Sequence, residues 1–166
     1  AKAFIMKMYS AGIVSGVTEK LFEPDRAVTR AEFAALIART LKLSENSGDK
    51  FSDVESGSWY ESSVNACADA GIISGFDGKF RPDDTITRFE MAVVISNAYT
   101  YLEKAEKSGG IEKFADKEEM PEWAKSAVDL CVSAGIVSGM TDDAFDGAST
   151  ATRAQAAVVL SKLISA

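Results

Sequence analysis

The sequence VTRAE at residues 28–32 recurs as ITRFE at residues 86–90 and as ATRAQ at residues 151–155. The arginines at the centre of the three copies stand 58 and then 65 residues apart. Self-similarity at such a period is the signature of a repeat architecture, in which neighbouring units bury a core together. The sequence therefore predicts three tandem units, which we place at residues 1–43, 51–107 and 114–166.

A glycine-containing turn and a phenylalanine loop precede each copy of this motif. The turns read AGIVSG, AGIISG and AGIVSG and end at Gly16, Gly75 and Gly139. A phenylalanine lies eight residues before each motif arginine, and the first two loops continue as Phe-x-Pro-Asp. The third loop has Gly147-Ala148 in place of Pro-Asp.

The second and third units begin with a further shared element. Phe-x-Asp at residues 51–53 precedes Trp59, and Phe-x-Asp at residues 114–116 precedes Trp123. The position equivalent to Trp59 in the first unit precedes Ala1. We therefore interpret the first unit as N-terminally truncated and the chain as a piece of a longer protein.

Apolar residues recur at helical spacing on both sides of each turn, so every unit is predicted to read helix, turn, loop, helix. Gly12, Gly71 and Gly135 stand where a left-handed residue ends a helix. Two modest helices bury little surface alone. We therefore predict an all-α fold in which the three second helices form a central bundle with pseudo-threefold symmetry. This bundle should bury Leu36, Val94 and Val159.

The composition excludes several classes of function. Hydrophobic residues make up 46% and charged residues 26% of the chain, as in a globular protein. The net charge of −7 disfavours a nucleic-acid partner. With no histidine and two cysteines, the usual nucleophile systems and zinc sites are absent. We expect no enzyme, no metal, no cofactor and, without a long apolar stretch, no membrane insertion.

The motif itself combines a helix cap with an unusual cation. Thr and Glu, or Gln, at this spacing form a capping box. An arginine at the first helical position opposes the helix dipole, so stability alone does not explain it. A guanidinium at a helix N-terminus is a good carboxylate receptor. Alternatively, each arginine pairs with a nearby acid such as Asp25 or Asp83, and both interpretations can hold together. We expect Arg88 to be exposed.

Other repeated residues also have two interpretations. Trp59 and Trp123 either stack on a sugar ring or pack against the core. The last glycine of each turn provides a positive φ, admits a ligand, or only forms the turn. Cys67 and Cys131 occupy equivalent positions and are predicted to be buried free thiols.

Taken together, these motifs resemble those of the S-layer homology family over essentially the whole chain. The resemblance implies a three-pronged spindle around a central three-helix bundle, with ligand grooves between the prongs. It also implies an extracellular location at the bacterial cell wall. The ligand that it implies is a cell-wall polysaccharide whose terminal N-acetylmannosamine carries a ketal-linked pyruvate. The ligand-binding residues that it implies are Arg30, Arg88, Arg153, Trp59, Trp123, Asp25, Asp83, Gly16, Gly75 and Gly139.

Two departures from the family pattern fall in the third unit. Gly147-Ala148 replaces Pro-Asp and Gln155 replaces Glu, so the groove of this unit is expected to be weakened or purely structural. Because Asp83 can hold Arg88 in place and Ala148 cannot hold Arg153, we predict that Arg88 contributes more to binding.

The leading hypothesis is non-covalent anchoring of a secreted or surface-layer protein to the pyruvylated polysaccharide. A second is a protein-interaction module for self-association within a surface layer. A third is binding to modified peptidoglycan. Arginines converging on concave grooves would favour a carbohydrate ligand, whereas arginines in a flat, salt-bridged surface would favour protein interaction.

Overall fold

A computed structural model describes residues 1–16, 21–46 and 48–166. The described residues form six α-helices, two short 3₁₀ turns and no β-strand, which confirms the all-α prediction. The helices are α1 (Lys2–Ser10), α2 (Arg30–Leu41), α3 (Glu61–Asp69), α4 (Arg88–Tyr101), α5 (Glu122–Ser133) and α6 (Arg153–Leu163). The 3₁₀ turns span Ile111–Lys113 and Lys117–Glu119.

The ends of the helices follow the repeated sequence closely. In α2 the Thr29 side chain accepts a hydrogen bond from the Glu32 amide, and the Glu32 carboxylate accepts one from the Thr29 amide. The same reciprocal capping box opens α4 and α6, so all three predicted boxes are confirmed. The glycines after α1, α3 and α5 have φ values of 71°, 69° and 72°, which confirms the predicted left-handed residues.

The helices pair between units. The first helix of each unit packs on the second helix of another: α3 on α2, α5 on α4, and α1 on α6. The second helices α2 and α4 also contact α6. Because α1 of the first unit packs on α6 of the third, the pairing is cyclic, and the second helix of every unit packs against the first helix of another unit.

A cycle of three backbone hydrogen bonds joins the units just before the capping boxes. The Val28 amide donates to the Ala151 carbonyl (3.0 Å), Ala151 to Ile86 (2.9 Å), and Ile86 back to Val28 (3.0 Å). All three residues are buried. The cycle therefore holds the starts of α2, α4 and α6 together with pseudo-threefold symmetry.

The first amides of these helices are paired across units as well. The Arg30 amide donates to the Asp84 carbonyl (2.9 Å) and the Ala31 amide to the Pro82 carbonyl (3.0 Å). Equivalent pairs join α4 to Ser149 and Gly147, and α6 to Arg26 and Pro24. The unpaired amides of a helix N-terminus are thus satisfied by the loop of the next unit.

A single hydrophobic core draws on all three units, as predicted. Leu36 and Val159 are buried within it. Val94 lines a groove between units and is only half-buried, so its predicted burial is wrong. Tyr9, at an apolar-stripe position of α1, is likewise 58% exposed.

Candidate functional site

Three grooves lie between the units, and each has one motif arginine in its wall. We name them the Arg30, Arg153 and Arg88 grooves. Their volumes are about 480, 310 and 190 Å³. Each is formed by the arginine of one unit and the glycine-containing turn of the next. The Arg30 and Arg153 grooves receive a tryptophan from the remaining unit.

Arg30 reaches from its own unit into the second. Its Nε donates to the Phe80 carbonyl (2.8 Å), and the guanidinium lies 5.0 Å from the centre of the Phe80 ring. Its Nη1 donates to Glu90 Oε1 (2.9 Å), and the side chain is only 12% exposed. The arginine therefore joins two units as well as lining the groove.

Arg153 repeats this arrangement between the third and first units. Its Nε donates to the Phe22 carbonyl (2.9 Å), its Nη2 donates to the Ser15 carbonyl (2.8 Å), and its guanidinium lies 4.8 Å from the Phe22 ring centre. Its Nη1 lies 3.8 Å from Glu32 Oε1. Glu32 also accepts a hydrogen bond from Arg26, so this carboxylate serves two arginines.

Arg88 is the most buried of the three, with 3% exposure, and the expectation that it is exposed is wrong. Its Nη2 donates to the Ser138 carbonyl (2.7 Å) and its Nε to the Asp146 carbonyl (3.2 Å). The guanidinium lies 4.8 Å from the Phe145 ring centre. At the place of Glu90 and Glu32 this groove has the neutral Gln155.

Burial lowers the pKa of all three guanidinium groups, because desolvation disfavours their charged form. Nearby carboxylates oppose this fall: Glu90 at Arg30, Asp146 at Arg88 and Glu32 at Arg153. An arginine stays protonated at neutral pH in either case. Each motif arginine therefore places a permanent positive charge in a largely desolvated part of its groove wall.

Asp25 and Asp83 do not hold the arginines. Both side chains are exposed on their loops and lie outside the linings of the three grooves. The hypothesis that they orient Arg30 and Arg88 is therefore wrong. The acids that do so at Arg30 and Arg153 belong to the capping boxes of the neighbouring units, which sequence reasoning assigned to capping alone.

Two other aspartates, which sequence reasoning did not single out as functional, shape the grooves. Asp53 accepts hydrogen bonds from the amides of Phe80 and Arg81, both at 2.8 Å. Asp116 does the same for Phe145 and Asp146. Arg81 and Asp146 have left-handed φ values of 59° and 53°. The aspartates thus fix the loop whose phenylalanine carbonyl receives the arginine, and the repeated Phe-x-Asp was the signal for them.

These hydrogen bonds also change the acidity of the two aspartates. Burial alone would raise the pKa of the Asp53 carboxyl, but the amides of Phe80 and Arg81 outweigh it and hold the pKa below its usual range. The amides of Phe145 and Asp146 have the same effect on the pKa of Asp116. Both carboxyl groups therefore stay ionised to a lower pH in the folded protein than a free aspartate does.

The two tryptophans lie at the rims of the grooves. Trp123 is 59% exposed in the Arg30 groove, and Trp59 is 63% exposed in the Arg153 groove. Trp123 meets the ring of Phe89 edge-on at 6.2 Å, and Trp59 meets Tyr60 at 5.3 Å. Phe76, 84% exposed, adds a second aromatic ring to the Arg30 groove.

The turn glycines line the grooves for a packing reason. Gly16, Gly75 and Gly139 lie in the walls of the Arg153, Arg30 and Arg88 grooves. Gly75 and Gly139 do not have a positive φ, which rules out one of the three interpretations for these two glycines. A Cβ on Gly75 would lie 2.4 Å from the Lys79 carbonyl oxygen and 2.6 Å from the Phe51 ring. Gly139 meets the Phe114 ring in the same way, so these two positions need glycine for close packing.

The two thiols of the chain are buried and weakly acidic. Cys67 and Cys131 are buried free thiols, as predicted, and burial raises the pKa of each to about 12. Within residues 1–16, 21–46 and 48–166, no cluster of acids and cysteines could hold a metal ion. No helix in the part of the chain that the structure describes is long and apolar enough to cross a bilayer.

Known proteins share both the motifs and their order. The model of the S-layer homology domain family matches residues 1–34, 50–92 and 113–157. The chain is 39% identical to an amylopullulanase of Thermoanaerobacterium thermosulfurigenes, over 99% of the chain and 9% of that protein. It is 30% identical to a cellulosome-anchoring protein of Acetivibrio thermocellus, over 92% of the chain and 35% of that protein.

An S-layer protein of Bacillus thuringiensis subsp. finitimus is 34% identical over 91% of the chain and 18% of its own length. The chain thus spans between about a tenth and a third of these three relatives. Proteins with such different names each match this chain over a part of their length, which is what a separable module of about this length would produce.

Proposed function

The chain belongs to the S-layer homology family, a cell-surface module, and from that premise we propose that it binds a pyruvylated polysaccharide of the bacterial cell wall. The protein that carries it is held at the wall without a covalent bond. Binding takes place in the three grooves between units. The chain itself catalyses no reaction, in line with relatives that are named as enzymes and match over only a small part of their length.

The observation that carries this proposal is the pairing of a buried arginine with an exposed indole in one concave site. In the Arg30 groove, Arg30 provides a fixed positive charge at a helix N-terminus. Trp123 and Phe76 provide flat apolar surfaces at the rim. A sugar ring has apolar C–H faces that stack on aromatic rings, and its pyruvate ketal carries the carboxylate that a guanidinium prefers.

The shape of the three sites favours this function over self-assembly. The motif arginines lie in grooves of about 190 to 480 Å³ and not on a flat surface. Exposed apolar side chains outside the grooves are spread over several elements: Phe4, Met6 and Tyr9 on α1, Tyr101 and Leu102 at the end of α4, and Ile164 after α6. Scattered apolar side chains of this kind are normal on a protein surface.

Sedimentation with purified cell walls tests the proposal. The wild-type chain should sediment with intact sacculi and remain in solution with sacculi whose secondary polymer has been removed by acid. The double variant Trp59→Ala/Trp123→Ala should lose most of its binding. Tyr9→Ala is the matched control, because Tyr9 is as exposed as the tryptophans but lies outside the grooves.

Three results would contradict the proposal in different ways. Equal sedimentation with intact and stripped sacculi would indicate peptidoglycan as the ligand. Loss of binding in Tyr9→Ala, with the tryptophan variant unaffected, would locate the interaction outside the grooves. No sedimentation, together with concentration-dependent oligomers in analytical ultracentrifugation, would support self-assembly.

A further inference from the structure

The position after the last turn glycine is apolar in all three units, where the residues are Val17, Phe76 and Met140. Val17 lies outside the described residues. Phe76 and Met140 are 84% and 52% exposed, and each lines a groove. Of these three side chains, the thioether of Met140 is the one that peroxide oxidises. The Arg88 groove therefore contains a reactive group that the first two units do not have at this position.

The five methionines of the chain fall into two classes of exposure. Met8, Met91 and Met120 are buried, with exposures of 4% or less. Met6 and Met140 are 55% and 52% exposed. Because peroxide has to reach the sulfur atom, these two should be oxidised first. Met6 lies on α1 and outside the three grooves, so the chain contains its own control for Met140.

The side-chain amide of Gln155 has one strong and one weak hydrogen-bond partner. Its Oε1 accepts a hydrogen bond from the Thr152 amide (3.1 Å), which completes the cap of α6. Its Nε2 donates to Met140 Sδ at 3.3 Å, and a thioether sulfur is a weak acceptor. The first two units have Glu32 and Glu90 at this position, and a carboxylate has no N–H to donate. The third unit thus places an amide donor directly against an oxidisable sulfur.

The charged side chains around Met140 are also hydrogen-bond donors. Arg88 and the half-buried Lys162 line the groove, and none of the described residues that line it carries a carboxylate. Arg88 Nη2 donates to the carbonyl of Ser138, two residues before Met140 (2.7 Å). An oxygen atom on the sulfur of Met140 would therefore meet donors and no competing carboxylate. At about 190 Å³, this groove is also the one in which a fixed side chain obstructs the largest share of the space.

We propose that Met140 is a peroxide-sensitive modification site whose oxidation closes the Arg88 groove. Hydrogen peroxide transfers one oxygen atom to the thioether: the O–O bond breaks, an S–O bond forms, sulfur loses two electrons to the peroxide, and water leaves. The sulfoxide oxygen is a strong acceptor and takes the hydrogen bond from Gln155 Nε2 that the sulfur held weakly. The side chain of residue 140 is then polar and is held in the groove by Gln155.

Oxidation should therefore weaken binding to the cell wall through this groove, a consequence that rests on the proposed function. A ligand that enters the groove has to break the new hydrogen bond, whose net strength corresponds to a change of about fivefold in affinity. The Arg30 groove has Phe76 at the equivalent position and is not affected. Methionine sulfoxide reductases restore the thioether, so the effect is reversible.

Peptide mapping after timed treatment with hydrogen peroxide tests the modification itself. Met6 and Met140 should each gain one oxygen atom at similar rates, while Met8 stays unmodified. Nuclear magnetic resonance then tests the hydrogen bond, because the side-chain amide signal of Gln155 should shift on oxidation. The shift should persist in Met6→Leu and disappear in Met140→Leu. Protection of Met140 from peroxide, or an unchanged Gln155 signal in the oxidised protein, overturns the inference.

Sedimentation with intact sacculi measures the effect on binding, as the ratio of affinities before and after oxidation of the same variant. The ratio should be about five for the wild type and for Met6→Leu, and close to one for Met140→Leu. It should also approach one for Gln155→Glu, which keeps a capping side chain but cannot donate to the sulfoxide. Reduction by methionine sulfoxide reductases should restore wild-type binding. A loss in Met140→Leu or in Gln155→Glu as large as in the wild type overturns the inference.

The proposed function can fail separately from this inference. If the untreated wild type sediments with intact sacculi and oxidation of Met140 does not change its affinity, anchoring stands and the inference is wrong. If the untreated wild type does not sediment at all, the proposed function is wrong and the effect on binding fails with it. Peptide mapping and the Gln155 signal still decide in that case whether Met140 is oxidised and bonded to Gln155.

Discussion

Phe89 packs its ring on Gly147, so closely that a Cβ at residue 147 would come within 2.1 Å of Phe89 Cε1. Phe89 stands where the other units have alanine, and Gly147 where they have proline. The Phe89 amide also donates to the Gly147 carbonyl (2.9 Å). The two departures from the repeat therefore compensate each other, because the large Phe89 ring of the second unit fills the space that a side chain at position 147 of the third unit would need.

This pairing predicts a coupled pair of substitutions. Gly147→Ala should lower the free energy of unfolding by about 1–3 kcal/mol, the usual cost of overpacking. In a Phe89→Ala background the same change should cost much less, because the ring that it strikes is gone. Urea unfolding of both single variants and the double variant gives the coupling energy. Additive losses would contradict the packing argument.

Arg88 should contribute strongly to stability as well as to binding. Arg88→Ala removes the donor from the buried Phe145 carbonyl and from the partly buried carbonyls of Ser138 and Asp146, so we expect a loss of about 2–4 kcal/mol. Thr87→Ala, at the neighbouring cap, should cost only about 1 kcal/mol. Thermal unfolding followed by circular dichroism compares them. A smaller loss for Arg88→Ala than for Thr87→Ala would show that the inter-unit bonds contribute little.

The local features of the fold could be predicted from the sequence, and the long-range ones could not. Capping boxes and the helix-ending glycines Gly12, Gly71 and Gly135 involve residues within a few positions of each other. The cycle through Val28, Ile86 and Ala151 joins residues far apart in sequence, and no pattern specifies their partners. Repetition showed that equivalent units exist but did not indicate which helices pair between them.

The same difference between local and long-range contacts explains why the acids that pair with the motif arginines were predicted wrongly. Asp25 and Asp83 were chosen as partners for the arginines because they are near in sequence, whereas the carboxylates in place belong to other units. Glu90 performs two tasks at once: Oε2 accepts from the Thr87 amide and Oε1 from Arg30. The predicted rank of Arg88 above Arg153 stays a prediction, but Asp83 is not its reason, because Asp83 lies outside the Arg88 groove.

Stability should fall in acid because of Asp53 and Asp116. The pKa of each carboxyl is lowered in the folded state, so each contributes stability above its unfolded pKa, which is about 4, and loses it as pH falls through the folded value. The pKa of Glu32 is lowered too: its hydrogen bond with Arg26 and the bond from the Thr29 amide outweigh desolvation. The free energy of unfolding should therefore decline below about pH 4.

Asp53→Asn/Asp116→Asn separates the aspartates from other acids. An asparagine is neutral and has one acceptor oxygen where the carboxylate has two, so it cannot accept both amide hydrogen bonds in the same way. The variant should therefore be less stable at pH 7. It should also lose less stability than the wild type between pH 5 and pH 3, since two of the titrating groups are gone. Urea unfolding across this range measures both effects, and parallel pH profiles would contradict the assignment.

The buried thiols should report the opening of two helix pairs. Cys67 Sγ on α3 donates to the Ala34 carbonyl on α2, and Cys131 on α5 donates to Ala92 on α4, both at 3.4 Å. With each pKa raised to about 12 and no solvent access, neither thiol should react at pH 8 in the folded state. If the three units open together, pulsed alkylation followed by mass spectrometry should label both thiols at the same rate. Rapid labelling of either thiol in native buffer would show that its helix pair opens independently.

Trp123 should contribute more to polysaccharide binding than Trp59. Both indoles are similarly exposed, but Trp123 borders the larger groove and shares it with Phe76. Its indole is also held edge-on by Phe89, whose ring is fixed in turn against Gly147 and, at 5.8 Å, against Phe145. A surface fixed before the ligand arrives loses less conformational entropy on binding.

Calorimetric titration with the purified polymer would measure this difference. Trp123→Ala should weaken binding by about 1 kcal/mol, the scale of a good aromatic contact, and Trp59→Ala by less. Phe89→Leu is the decisive variant, because it keeps an apolar side chain over Gly147 but removes the ring that orients Trp123. It should reproduce part of the Trp123→Ala loss with the indole still present. If Phe89→Leu binds like the wild type while Trp123→Ala does not, the indole needs no orientation by Phe89. If Trp59→Ala loses more than Trp123→Ala, the Arg153 groove is the stronger sugar site, and neither volume nor aromatic support determines which groove holds the chain.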